Sequence, residues 1–216
     1  MTSHSNPKYP FWPLFIRILV YGMIMVFISQ ILMWDAASSA EVKFSENSYT
    51  EWSQQGVLII MTLLFVAVAW QYPVWRSMSI LLAGCSAIGL VREYNNFFNV
   101  QVFDGAWQLL SLIALIITLV FFYPNRKGLW LNLKAFRGSF SEGVLVMGFI
   151  TTFVFSRLFG RTRFWETLME ERYFRSVKNA AEEGIELLGY ALLLIASIEY
   201  LMHIRKQTLP PPHERP

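Results

Sequence analysis

Apolar residues run in long, nearly unbroken stretches, with neither the two-residue alternation of a half-buried strand nor the single stripe of a surface helix. A bilayer-spanning helix needs about 20 such residues. Stretches near that length lie at 11–34, 56–75, 77–98, 107–123, 143–160 and 184–204. The pattern predicts an all-α, polytopic integral membrane helix bundle with six transmembrane helices in one domain, 1–206, followed by a disordered cytoplasmic tail, 207–216. Pro73 and Pro124 act as helix stops, and Pro210–Pro212 open a tail without apolar content.

Composition narrows the class further. Of 216 residues, 55% are hydrophobic, 16% aromatic and only 15% charged, which excludes a disordered chain and an ordinary soluble domain. Trp12, Trp34, Trp52, Trp75, Trp107 and Trp130 fall near the expected helix ends, where indole rings settle at a membrane interface. The first apolar run precedes Ala36-Ala37-Ser38-Ser39-Ala40, a stretch of the kind signal peptidases accept; it is read here as a first spanning helix.

Charge sets the expected orientation. Lys8 and Arg17, Arg76, the group Arg126, Lys127, Lys134 and Arg137, and the tail's Arg205, Lys206 and Arg215 fall on one side. Asp35, Glu41, Glu46, Glu51 and Asp104 fall on the other, against a lone Lys43. Both termini are therefore expected in the cytoplasm. The size, short connections and lack of organelle signals suggest a plasma membrane, in particular a bacterial cytoplasmic (inner) membrane. The net charge of +3 is scattered in short flanking segments, so nucleic acid is not an expected partner; membrane lipids, a membrane-protein partner or a second copy of the chain are.

The fifth connection, about 161–183, mixes five cations with five carboxylates. Within it Phe164, Trp165, Leu168, Met169, Phe174 and Val177 recur at helical spacing. Two arrangements fit: a short interfacial amphipathic helix, or an extension of the last span.

An ionisable side chain at membrane depth needs a partner or a purpose. The third segment carries Arg92 and Glu93 about 24 Å along its axis from Arg76, the fifth carries Arg157 with Arg161 one turn on, and the sixth opens with Glu182, Glu183 and Glu186. Glu183, Glu186 and Tyr190 share one stripe. Three segments thus bring charge to one level, and Glu186 is expected to face the bundle and pair with Arg92 or Arg157. Such a cluster either pins three helices together or forms an outward-facing site. As a site it would bind or transport a ligand, hold a hard divalent cation through Glu93, Glu183 and Glu186, or relay protons. Alternatively, an intramembrane enzyme acting on a lipid or lipid-linked substrate would use Glu93 or Glu186 as general base and an arginine as anion holder.

Other features have plainer readings. Glu199 and His203 are expected as a surface pair, Arg17 as a side chain snorkelling to the cytoplasmic face, and Ser79, Ala83, Gly84 and Ala87 as a small-residue face for close helix approach. Glu170-Glu171 followed by Arg175 fits the E-E-x-x-x-R pattern of CAAX-type intramembrane proteases. The resemblance ends after six residues, and that family also needs histidines from later helices. His4, His203 and His213 are the only histidines, too few as well for a ceramidase-like zinc site. Cys85 is the only cysteine, which excludes a disulfide oxidase. No P-loop, G-x-S-x-G or H-E-x-x-H occurs. The functional expectation is a subunit of a membrane complex or a small binding or transport protein.

Overall fold

A computed structural model describes residues 11–38, 44 and 48–208. In chain order the helices are α1 (Phe11–Ala37), α2 (Tyr49–Gln71), α3 (Arg76–Glu93), α4 (Asn95–Gln101), α5 (Ala106–Phe122), α6 (Leu129–Phe136), α7 (Phe140–Ile150), α8 (Ser156–Phe159), α9 (Thr162–Met169) and α10 (Arg175–Thr208). A π turn over Thr151–Phe155 joins α7 to α8. Among the described residues no strand occurs, and six helical segments are long and apolar enough to span a membrane.

Helix α10 is the hub. Of its most apolar stretch 61% is buried, against 6% for the corresponding stretches of α1 and of the segment Ala106–Phe136 that includes α5. Small residues allow its neighbours to approach: a Cβ on Gly189 would overlap Thr152 of the π turn, and one on Gly148 would come within 3.0 Å of Leu193. The main core joins Leu58, Phe65 and Val68 of α2, Met78 and Ala83 of α3, and Tyr190, Leu193, Tyr200 and Ile204 of α10. A smaller cluster of Ile28 and Ile31 against Leu187 and Ala191 seats α1 on α10.

Polar contacts fix α1 at both ends. Asp35, 2% exposed, accepts from the Tyr49 and Thr50 amides at 2.9 and 2.8 Å and from the Thr50 hydroxyl, so it holds the first turn of α2. Near the other end Glu199 accepts from the Tyr21 hydroxyl and pairs with Arg17 at 3.4 Å. This corrects two expectations: Glu199 is 5% exposed and pairs across helices, not with His203, and Arg17 turns to Glu199. Burial drives the change, because a carboxylate at that depth requires donors.

The end of the bundle near Tyr200 is closed by α6, a helix that lies between the fourth and fifth apolar stretches, 107–123 and 143–160. Asn132 accepts from Ser77 at 2.7 Å and donates to the Val74 carbonyl at 2.8 Å. Phe136 and Trp75 pack edge-on against Tyr200, and His203 lies near both rings. Trp75 is 3% exposed and belongs to this core, unlike the exposed Trp12, Trp34, Trp52 and Trp130. The expected small-residue face divides: Ser79 hydrogen bonds to Tyr200 at 2.9 Å, while Gly84 sits against Thr118 of α5.

In the fifth connection α9 is a separate amphipathic helix, and the last helix also begins early, at Arg175. At its other end that helix continues through Gln207 and Thr208; the remainder of the expected tail lies outside the described residues, as do Glu41, Lys43 and Glu46.

Candidate functional site

At the end opposite α6 the helices part around an open cleft of about 980 Å³. Its lining includes Glu51 and Gln54 of α2, Arg92 and Glu93 of α3, Arg157 of α8, and Arg175, Lys178, Glu182, Glu183 and Glu186 of α10. Arg92, Glu93, Arg157, Glu182, Glu183 and Glu186, which the sequence brings to one level, all line this space.

Glu186 is the centre. It is 4% exposed, and its Oε1 accepts from Arg157 Nη2 at 2.7 Å and from Arg92 Nη2 at 3.0 Å. A carboxylate this far from water requires charged donors, and α3 and α8 each supply one. The arginines themselves keep contact with the cleft, with side chains 33% and 47% exposed. Arg92 also lies 3.5 Å from Glu93 and beneath the Phe153 ring at 5.5 Å.

The other carboxylates are held separately. Glu93 accepts from the Tyr190 hydroxyl at 2.7 Å, one turn below Glu186. Glu183 accepts from Gln54 Nε2 at 3.0 Å. Glu182 meets Arg157 at 3.4 Å and Lys178 at 3.0 Å. The expected cation cage of Glu93, Glu183 and Glu186 is not formed, and among the described residues no three His, Cys, Asp or Glu side chains converge on a metal position. The reason is that the carboxylates already accept from cationic or neutral donors: Arg92 stands between Glu93 and Glu186, Arg157 between Glu182 and Glu186, and Glu183 accepts from Gln54. Arg161 is also not in the cleft, because the helix ends at Phe159 and Arg161 starts the approach to α9.

The π turn places Arg157. An i→i+5 turn holds about one residue more than an α turn, which rotates the following residues by about 100°. Ser156 and Arg157 follow directly; Ser156 is fully buried and donates to the Thr152 carbonyl at 2.5 Å, while Arg157 reaches Glu186. In an uninterrupted α-helix the guanidinium would point about one residue's rotation away from α10.

Sequence reasoning missed several lining residues. Gln54 lies just outside the expected second stretch, 56–75, although a Gln54-Gln55 pair beside an apolar run is a visible signal. Arg175, Lys178 and Asn179 fall within the expected fifth connection, 161–183; the early start of α10 brings them into the cleft lining. Glu170, Glu171 and Arg175 of the E-E-x-x-x-R match do not form a unit: the first two sit in a tight turn and Arg175 begins α10.

Chemically, the cleft sets two half-exposed guanidiniums, Arg92 and Arg157, beside the more buried carboxylates of Glu93, Glu182 and Glu186, so groups of both signs line one space. Compared with protein families, with curated proteins and with solved structures, the chain matches none of them.

Proposed function

We propose that the chain is a multi-pass plasma-membrane protein whose cleft binds a small polar molecule or lipid headgroup bearing both an anionic and a cationic group. Its six apolar segments cross the bilayer, with both termini cytoplasmic and the cleft on the outer face. The orientation is supported by charge: Arg76, Arg126, Lys127, Lys134, Arg137, Arg205 and Lys206 lie toward the closed end against Glu142 and the buried Glu199, and such an excess marks the cytoplasmic side.

The observation that carries the functional reading is that the Glu186 cluster lines an open cleft and is not sealed in the core. Here both arginine side chains stay one-third to one-half exposed to the cleft while they hold Glu186, so they are open to an incoming ligand as well as to the carboxylate. Arg92 and Arg157 would hold the anionic group, with Arg175 and Lys178 also in the lining. Glu183 and Glu93 would face the cationic group. Binding is favoured over turnover because Glu93 and Glu186, the two candidate bases, already accept from tyrosine or arginine. The Ser48 hydroxyl, in the same lining, serves as the helix cap of α2, accepting from the Glu51 amide at 3.1 Å.

Thermal unfolding in detergent with phosphoethanolamine, glycerol phosphate and ethanolamine as separate probes tests this. A ligand that binds the folded state stabilises it by mass action. Phosphoethanolamine is expected to raise the midpoint most, and Arg157→Gln or Glu183→Gln to abolish the increment. Equal response to all three, or none, would overturn the reading.

A further inference from the structure

A second cavity lies on the flank of the bundle, toward the closed end and away from the cleft. It is a groove of about 880 Å³ between α2, α3 and α5. Close approach of α3 and α5 creates its floor: a Cβ on Gly84 would overlap the Thr118 side chain, so the two helices meet at that level. Ala83 and Ala87 on either side fill little of the space, while Trp70 and Phe121 stand as larger walls. The two threonine hydroxyls in the lining are used internally, Thr62 donating to the Leu58 carbonyl and Thr118 to the Ala114 carbonyl, each within 2.8 Å. The walls therefore present hydrocarbon.

From Arg76 to Ala87 the groove follows α3 for eleven residues, about 17 Å, close to half of a hydrocarbon core about 30 Å thick. Its length is that of one leaflet. Its mouth is cationic. Arg76 is anchored by its Nε, which donates to the Ala69 carbonyl at 3.0 Å, and its two Nη nitrogens meet no acceptor among the described residues. The adjoining turn, Tyr123–Gly128, brings Arg126 and Lys127 to the same end, with the Arg126 guanidinium 4.0 Å above the Tyr123 ring. Neither the stretch 69–76 nor 121–128 contains an Asp or Glu.

A leaflet-length apolar groove that ends on an anchored arginine with free donors has the form of a phospholipid site. We infer that the groove binds one anionic glycerophospholipid, with an acyl chain along α3 and the phosphate on Arg76. Charge complementarity selects the occupant: a headgroup with net negative charge is attracted by all three cations, whereas a zwitterionic headgroup brings its own cation into their field. A second protein helix would leave the Nη donors of Arg76 facing an apolar surface. The inference rests on the proposed bilayer placement but not on the cleft.

Native mass spectrometry of the full-length protein, titrated with phosphatidylglycerol or phosphatidylcholine of identical chains, tests it. One phosphatidylglycerol is expected to bind at least about fivefold more tightly than phosphatidylcholine, the scale of one basic residue at a membrane surface. Arg76→Gln should lose that preference and Arg76→Lys should keep most of it. Ala87→Phe, which fills the groove, should weaken both lipids, while Arg205→Gln, a cation change elsewhere at this end, should alter neither. Lipid-free unfolding midpoints identify any variant that simply misfolds. Equal affinity for the two lipids, or identical losses in Arg76→Gln and Arg205→Gln, would overturn the groove site. Recovery of the protein without detergent in the soluble fraction would instead overturn the bilayer placement.

Discussion

Neutralising Glu186 is the most informative single change. Its Oε1 accepts two charge-assisted hydrogen bonds, at 2.7 and 3.0 Å, from arginines on different helices. In Glu186→Gln a neutral amide replaces the carboxylate with almost no change in volume, so packing is preserved and the charge interaction is isolated. The two guanidiniums then lose their shared anion and keep only the longer pairs, Arg92 with Glu93 at 3.5 Å and Arg157 with Glu182 at 3.4 Å. Removing one partner of a fully buried pair costs about 3–5 kcal/mol, but these arginines are one-third to one-half exposed, and water compensates much of that loss. A cost of about 1.5–2.5 kcal/mol is the expectation. At roughly 2–4 °C per kcal/mol for a chain of this size, the midpoint in detergent should fall by about 3–10 °C. Double-mutant cycles with Arg92→Gln and Arg157→Gln should show coupling of at least about 0.5 kcal/mol in each pair, larger for Arg157, whose bond is shorter. An unchanged or raised midpoint together with additive double variants would refute the argument that Glu186 is the electrostatic centre of the cleft.

Three further outcomes follow from the packing. Gly189→Ala should lower stability by about 1–3 kcal/mol, because the new methyl meets Thr152, whereas Gly184→Ala, with only Leu32 at 3.5 Å, should be nearly neutral in unfolding assays. Asp35→Asn should weaken the cap it forms on α2 by about 1–3 kcal/mol, read as faster amide exchange at Tyr49 and Thr50. Glu199→Gln should loosen α1 alone, seen as increased exchange or proteolysis within 11–30 while α2 and α10 keep their protection; equal loosening of all three would contradict the assignment of Glu199 as an anchor for α1.

The six apolar segments were legible in the sequence because a run of about 20 apolar residues admits few other structures. The level shared by Arg92, Arg157 and Glu186 was legible too, since helical rise converts residue number into height. Direction was harder. The π turn at Thr151–Phe155 leaves no signature in the residue pattern, yet it decides which way Arg157 points. Glu199 shows a second limit: its proximity to His203 was visible along one helix, but its partners Arg17 and Tyr21 come from the far end of the chain. Trp75 shows a third. A tryptophan at a helix end suits an interface equally well as a core, and only the return of α6 with Phe136 buries it.

The most direct test of the cleft as a binding site is native mass spectrometry of the protein extracted gently from its own membrane, with Arg157→Gln and Arg76→Gln prepared alongside. One bound small polar molecule or headgroup-bearing lipid per chain, separate from any lipid in the Arg76 groove, is expected to persist in Arg76→Gln and to disappear from Arg157→Gln. A wild-type protein whose bound mass is unaffected by Arg157→Gln, or which carries only stoichiometric partner chains, would contradict it.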